Sequence, residues 1–272
     1  MTFEWDVPSS NDRAVSRIAL PDGGCVECAT WGPPPAQAPT IILLHEGLGC
    51  IRLWRDFPGE LAAATGCGVF AYSRLGYGQS DPITPPLPVT RMADEAHDVL
   101  PALIEMIAPQ ALILVGHSDG GTIAAHALAG ETHPALRAAV LMSPHFFCEA
   151  SNVATIKDTC AAYRDGDLRA RLAKYHADVD GAFYGWADTW LDPDFAIWDM
   201  RDEIARWRHP VLFVQGRDDP YGSERQGAAA AMSPHAEIVW LEDCAHSPHL
   251  EQGARTLALL RTFIAKAVSD DR

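Results

Sequence analysis

The chain has 272 residues, of which 48% are hydrophobic and 21% charged, with a formal net charge of -15. That length can bury a large single core without disulfide or metal staples, and the ordinary composition excludes disordered and fibrous classes. The acidic balance argues against nucleic acid as a partner, because binding to phosphates rests on clustered Lys and Arg.

No run approaches the ~18 apolar residues that span a bilayer, and Met1-Thr2-Phe3-Glu4-Trp5-Asp6 lacks the basic start of a signal peptide. The expectation is a cytoplasmic protein with no membrane partner; its oligomeric state stays open. Seven cysteines, an odd and scattered set, read as mostly free thiols. Cys25 and Cys28 form one Cys-x-x-Cys, but no second pair stands at zinc-ribbon spacing and the segment reads as a strand. No metal or redox role is expected of them.

Gly and Pro mark boundaries between short β-branched runs and longer Ala- and Leu-rich stretches. In chain order the first strands are predicted at Arg17–Leu20 and Cys25–Trp31, joined by the turn Pro21-Asp22-Gly23-Gly24. Thr40–His45 is a buried strand, Ile51–Ala64 a helix, and Gly68–Arg74 the next strand. A helix over Arg91–Ala108 leads to the strand Ala111–His117, a helix over Asp119–Gly130 and the strand Leu136–Ser143. The strands are apolar throughout, which predicts a parallel sheet covered on both faces. From His145 to about Trp207 no strand-like run occurs, and the composition turns to Asp, Arg, Ala and aromatics at helical spacing. Alternation resumes with Val211–Gly216 and Ala236–Asp243 and ends in a helix over Leu250–Ala267. Two Pro-rich segments, 33–39 and 82–88, read as rigid surface loops. The domain plan is therefore a core of residues 1–144 and 208–272, with 145–207 as a helical insertion over one end of the sheet.

The sharpest motif is Gly116-His117-Ser118-Asp119-Gly120, a G-x-S-x-G between an apolar strand and an Ala-rich helix. A serine on such a turn is held in a strained conformation that lifts its hydroxyl above the sheet edge. A hydroxyl is a poor nucleophile until a base takes its proton, and that base needs an acid to fix its tautomer. Two later loops at the carboxyl ends of strands carry suitable groups. They are Gly216-Arg217-Asp218-Asp219 and Ala245-His246-Ser247-Pro248-His249.

These segments resemble the α/β-hydrolase superfamily over nearly the whole chain, including Arg74-Leu75-Gly76-Tyr77-Gly78-Gln79-Ser80, which is similar to its R-G-x-G-x-S turn. The resemblance implies an α/β-hydrolase fold: a mostly parallel sheet flanked by helices, with a helical cap inserted after the sixth strand. It implies Ser118 as nucleophile, His246 over His249 as base, and Asp219 over Asp218 as acid. An oxyanion hole is also required. The backbone N–H of Asp119 supplies one donor, and that of Gly47, in His45-Glu46-Gly47-Leu48-Gly49, the other by its similarity to H-G-x-x-G. Glu46 departs from that pattern. Its carboxylate either pairs with Arg52 or Arg74 or reaches the pocket.

In the branch that contains valacyclovir hydrolase, an Asp at the position of Asp119 receives a substrate amine; the short stretch Tyr184–Trp190 also resembles that branch. The alternative is a carboxylate turned away and bonded to backbone or to a cap residue. The cap aromatics Phe146, Phe147, Phe183, Tyr184, Trp186, Trp190, Phe195 and Trp198 divide between packing and an apolar pocket.

The expected function is cofactor-free and metal-free hydrolysis of a small or medium carboxylic ester, lactone or thioester, with aminoacyl esters as a possible preference. The same three residues are compatible with carbon–carbon bond hydrolysis or perhydrolysis, and a receptor with negligible turnover is the rival from another class. Epoxide hydrolysis and dehalogenation are disfavoured, since their relatives carry Asp where Ser118 stands.

Overall fold

The computed structural model describes residues 5, 15–21, 23–130 and 133–269. The Met1–Asp6 reading, apart from Trp5, and Asp22 of the first turn lie outside these residues. The strands are β1 (Ser16–Ala19), β2 (Cys25–Trp31), β3 (Thr40–Leu44), β4 (Gly68–Tyr72), β5 (Leu112–His117), β6 (Leu136–Met142), β7 (Val211–Gly216) and β8 (Ala236–Leu241). They form one sheet in the order β1-β2-β4-β3-β5-β6-β7-β8. β1, β2 and β4 pair antiparallel, and every other neighbouring pair is parallel. This is the α/β-hydrolase fold.

The period of two within each strand divides the core. In β3, Ile42 and Leu44 face one apolar layer while Ile41 and Leu43 face the other. The second layer is closed by the helices Phe57–Thr65 and Gly253–Ser269, through Leu61, Leu260 and Ile264. The first is closed by a helical run over 91–107 and by Asp119–Ala129, through Leu103 and Leu128. Both faces of the central strands are thus out of water, which is why their sequences carry no polar alternation.

Several boundaries differ from the expectation for identifiable reasons. The helix predicted over Ile51–Ala64 is broken into a 3-10 turn at Ile51–Trp54 and the helix Phe57–Thr65. Arg55 between them has φ 54, and Pro58 sits in the first turn of the second piece. The last helix begins at Gly253 and follows a separate short turn, Pro248–Glu251. Between β6 and β7 the chain forms Ala150–Asp165, Leu168–Leu172, Val179–Leu191 and Arg201–Ile204. Their aromatics mostly pack on one another: Tyr163 stacks on Phe183 at 3.6 Å, and Phe195 on Trp198 at 4.9 Å. Cys25 and Cys28 lie three apart on β2, so their side chains leave opposite faces. All seven cysteines are free thiols.

Candidate active site

The site is built at the carboxyl edge of the parallel strands. β5 ends at His117, and Ser118 adopts φ 52, ψ -119 before the helix Asp119–Ala129 begins. Few non-glycine residues tolerate that conformation, and here the flanking glycines permit it. A Cβ on Gly120 would stand 1.9 Å from the Leu44 carbonyl oxygen, and one on Gly116 would stand 2.1 Å from the Gly120 carbonyl oxygen. No side chain fits at either, so β3, β5 and the following helix converge tightly under the serine.

The loop after β7 brings Asp219 to the loop after β8. His246 Nδ1 donates to the Asp219 carboxylate, at 2.9 Å from Oδ1 and 3.0 Å from Oδ2. Asp219 also accepts from the Tyr221 N–H at 2.9 Å and from Gln215 Nε2 at 3.0 Å. Burial pushes its carboxyl up, but the His246 contact and the Tyr221 N–H outweigh burial and hold it below the usual carboxylate range. With Nδ1 engaged as a donor, Nε2 of a neutral His246 is the ring's basic atom. Asp218 is exposed and uses its N–H on the Cys244 carbonyl.

His249 is buried against Trp54 at 4.8 Å and Phe57 at 5.3 Å. Burial, with His117 and His246 beside it, keeps its imidazole well below the ordinary histidine range. It packs beneath the site. His117 donates from Nε2 to the His246 carbonyl at 2.7 Å, which ties the residue before the serine to the loop after β8.

Gly47 and Asp119 meet across the opening. Gly47 lies against Trp186, where a Cβ would come within 2.2 Å of the indole nitrogen. Asp119 opens its helix, so its N–H is among the four that the helix cannot pair internally. The Gly47 loop is braced by Arg74, which donates to the His45 carbonyl at 2.6 Å and to the Glu46 carbonyl at 2.9 Å. His176, from the chain between β6 and β7, donates from Nε2 to the Leu48 carbonyl and accepts the Gly78 N–H on Nδ1, both at 3.0 Å.

The carboxylate of Glu46 pairs with neither Arg52 nor Arg74. It faces His117 Nδ1 at 3.7 Å and lines the cavity, while Arg52 donates to the Lys174 carbonyl. Burial raises the Glu46 carboxyl, but the contact with His117, its own backbone N–H and the charge of Arg74 together outweigh burial and hold it below the usual carboxylate range.

Of the two readings of the Asp119 carboxylate, the structure matches the one in which it bonds a residue of the 145–207 segment. Its side chain is buried, with Oδ2 on Arg91 at 2.5 Å and Oδ1 accepting from Trp190 Nε1 at 3.2 Å. The Arg91 guanidinium already neutralises the carboxylate, so a substrate ammonium would gain little from it. The aminoacyl preference loses its structural basis.

One cavity of about 270 Å³ collects these parts. Ser118, His246, Gly47 and Asp119 line it, together with Trp186 and Trp190 of the helix Val179–Leu191. His145, Asn152, Ile156 and Tyr221 also line it and were not singled out from sequence. His145 follows β6 at the same sheet edge as the other site loops, a topological signal that could have marked it. Among the described residues lining the cavity there is no Lys or Arg. No cluster of three or more His, Cys, Asp or Glu side chains able to hold a metal occurs among the described residues. Nor is any of their helices long and apolar enough to cross a membrane.

Against solved structures, the chain is similar to the 2-hydroxy-6-oxo-6-phenylhexa-2,4-dienoate hydrolase of Rhodococcus sp. strain RHA1. The TM-score is 0.78 and the identity 19%, over 93% of this chain and 99% of that one. Among curated proteins, esterase YbfF of Escherichia coli K12 is 23% identical over 199 residues, which is 67% of this chain and 78% of that protein. Mouse (Mus musculus) protein phosphatase methylesterase 1 is 28% identical over 102 residues, covering 37% of this chain. That match spans only about a quarter, 26%, of the methylesterase. The valacyclovir-hydrolase branch receives no support from these likenesses. A family model described as "Alpha/beta hydrolase family" matches residues 41–259, most of the chain, and the protein therefore belongs to the alpha/beta hydrolase family.

Proposed function

We propose that the protein is a serine hydrolase of neutral carboxylic esters, lactones or thioesters, working through an acyl-Ser118 intermediate. His246 takes the Ser118 proton as the hydroxyl oxygen adds to the substrate carbonyl. The carbonyl oxygen gains negative charge and is held by the N–H groups of Gly47 and Asp119. Collapse expels the alcohol or thiol, which recovers the proton from His246. A water activated by the same imidazole then hydrolyses the acyl-enzyme. Asp219 holds His246 in the productive tautomer and stabilises the imidazolium that forms. The insertion, residues 145–207, serves as a cap whose Trp186 and Trp190 exclude water from the acyl chain.

The observation that carries this reading is the convergence of three strand-end loops on one cavity, with strained Ser118 on one and the Asp219–His246 hydrogen bond joining the other two. The cavity lining adds a restriction on substrate charge. With Glu46 in the lining and no Lys or Arg among its described residues, an anionic substrate such as a dienone acid would meet no counter-charge. This favours neutral esters over carbon–carbon cleavage of such acids.

The test is hydrolysis of p-nitrophenyl butanoate by wild type and variants. Ser118→Ala and His246→Ala are each expected to lower kcat by about 10⁴-fold or more, and Asp219→Asn somewhat less, with folding retained. Undiminished turnover in Ser118→Ala would end the proposal.

A further inference from the structure

Of the buried, unpaired side-chain atoms on the described residues lining the cavity, His117 Nδ1 faces Glu46, and the hydrolytic steps leave the other two without a role. Asn152, in the first turn of Ala150–Asp165, has no solvent exposure and lines the cavity. Its Oδ1 accepts the Glu149 N–H at 2.6 Å. A backbone N–H only donates, so the orientation of the amide is fixed and Nδ2 is the atom left over. Nδ2 has no partner.

His145, 2% exposed, lines the same cavity. Its Nε2 faces the Tyr221 carbonyl at 3.2 Å and must carry the proton. Burial first, and then the nearby His246, bring its imidazole down to about 4, so at neutral pH the ring is uncharged. Nδ1 is therefore an acceptor, and it too has no partner. A buried donor and a buried acceptor left unpaired are costly, and a ligand that satisfies both offsets that cost.

We propose that Asn152 Nδ2 and His145 Nδ1 form a polar subsite for a neutral group on the non-reacting part of the substrate that both donates and accepts hydrogen bonds, a hydroxyl or a primary amide. This deepens the ester-hydrolase reading and rests on it for the reacting end. A carboxylate satisfies Asn152 but offers nothing to the His145 lone pair. An ammonium does the reverse. Ile156, one helical turn beyond Asn152, and Trp186 also line the cavity, are apolar and accommodate the intervening carbons.

The experiment measures binding in the absence of turnover. Tryptophan fluorescence, from Trp186 and Trp190 in the lining, is titrated in the Ser118→Ala protein with methyl butanoate and methyl 3-hydroxybutanoate. The longer series is methyl hexanoate, methyl 6-hydroxyhexanoate, the monomethyl ester of adipic acid and the corresponding monoamide. At one of the two chain lengths the hydroxyl or amide ligand is expected to bind about tenfold tighter than its unsubstituted parent, and the carboxylate ligand to gain nothing. In Ser118→Ala proteins carrying Asn152→Asp or His145→Phe the preference falls below about threefold. Asn152→Asp retains the oxygen that accepts from the Glu149 N–H and replaces the donor with a charged acceptor oxygen, which separates the subsite from the helix contact. Equal affinity for hydroxyl and parent at both lengths, or a preference that survives both substitutions, would overturn the subsite. If a variant fails to fold, the unsubstituted Ser118→Ala panel still decides. Failure of the hydrolase reading would show separately, as wild type that turns over none of these esters.

Discussion

Asp119 has two separable parts. Its N–H belongs to the proposed oxyanion hole, whereas its carboxylate neutralises Arg91, whose side chain is only 8% exposed. Breaking a buried pair by removing one partner leaves a buried charge uncompensated, so Asp119→Asn is expected to destabilise the protein by about 3–5 kcal/mol at pH 7, read by urea unfolding. The pH dependence follows from the direction of the shift. Burial alone would raise this carboxyl, but Arg91 and Arg74 hold it below the ordinary range. A carboxyl depressed in the folded state contributes stability that is present above its unfolded pKa, about 3.9, and is lost as pH falls through the folded value. Wild type should therefore lose stability below about pH 4 more steeply than Asp119→Asn. Parallel acid limbs would show that the pair carries no such linkage. Asp219 also lies below the usual range, so it remains a carboxylate throughout the neutral region.

Ser118, Asp219 and His246 were readable because a motif or a strand-end position marks each. Arg91 was not readable as the partner of Asp119, since nothing in a helix 28 residues upstream announces where a long side chain will end. Asn152 was equally silent, because its place depends on how the helix Ala150–Asp165 packs against the site.

At the scale of elements, the alternation of strands and helices was legible because both sheet faces are covered and the strands are uniformly apolar. Breaks were less so: the positive φ of Arg55 that splits one predicted helix has no Gly to announce it. The contact of the 145–207 segment with the loops after β3 and β4 was the least legible, since it rests on single side chains such as His176. Burial keeps that imidazole below the ordinary range, and both ring nitrogens bond backbone groups of two different core loops. His176→Leu would leave the Gly78 N–H and the Leu48 carbonyl unpaired, at about 1–3 kcal/mol each. It would also loosen the loop that carries Gly47. The expected outcome is a lower Tm together with a kcat/KM reduced by about 10- to 100-fold. A lower Tm with unchanged kcat/KM would mean that the brace is structural only. Gly120→Ala tests the turn that carries Ser118 in a different way: with a Cβ 1.9 Å from the Leu44 oxygen, the protein is expected not to fold stably.

For the whole molecule, the acidic balance and a cavity lining without Lys or Arg among the described residues point the same way. With a formal net charge of -15 the protein repels polyanions at long range, and the lining offers an anion no counter-ion at short range. At matched size, p-nitrophenyl hexanoate is expected to exceed the p-nitrophenyl monoester of adipic acid in kcat/KM by about tenfold or more, with the gap narrowing as salt screens the long-range part. Equal rates at low salt would contradict this. The expectations about activity depend on one nucleophile. The most direct measurement is peptide mapping by mass spectrometry after treatment with a fluorophosphonate. The account requires a single adduct on Ser118, formed by wild type and absent from Ser118→Ala. An adduct on another residue, or labelling that persists in Ser118→Ala, would contradict it.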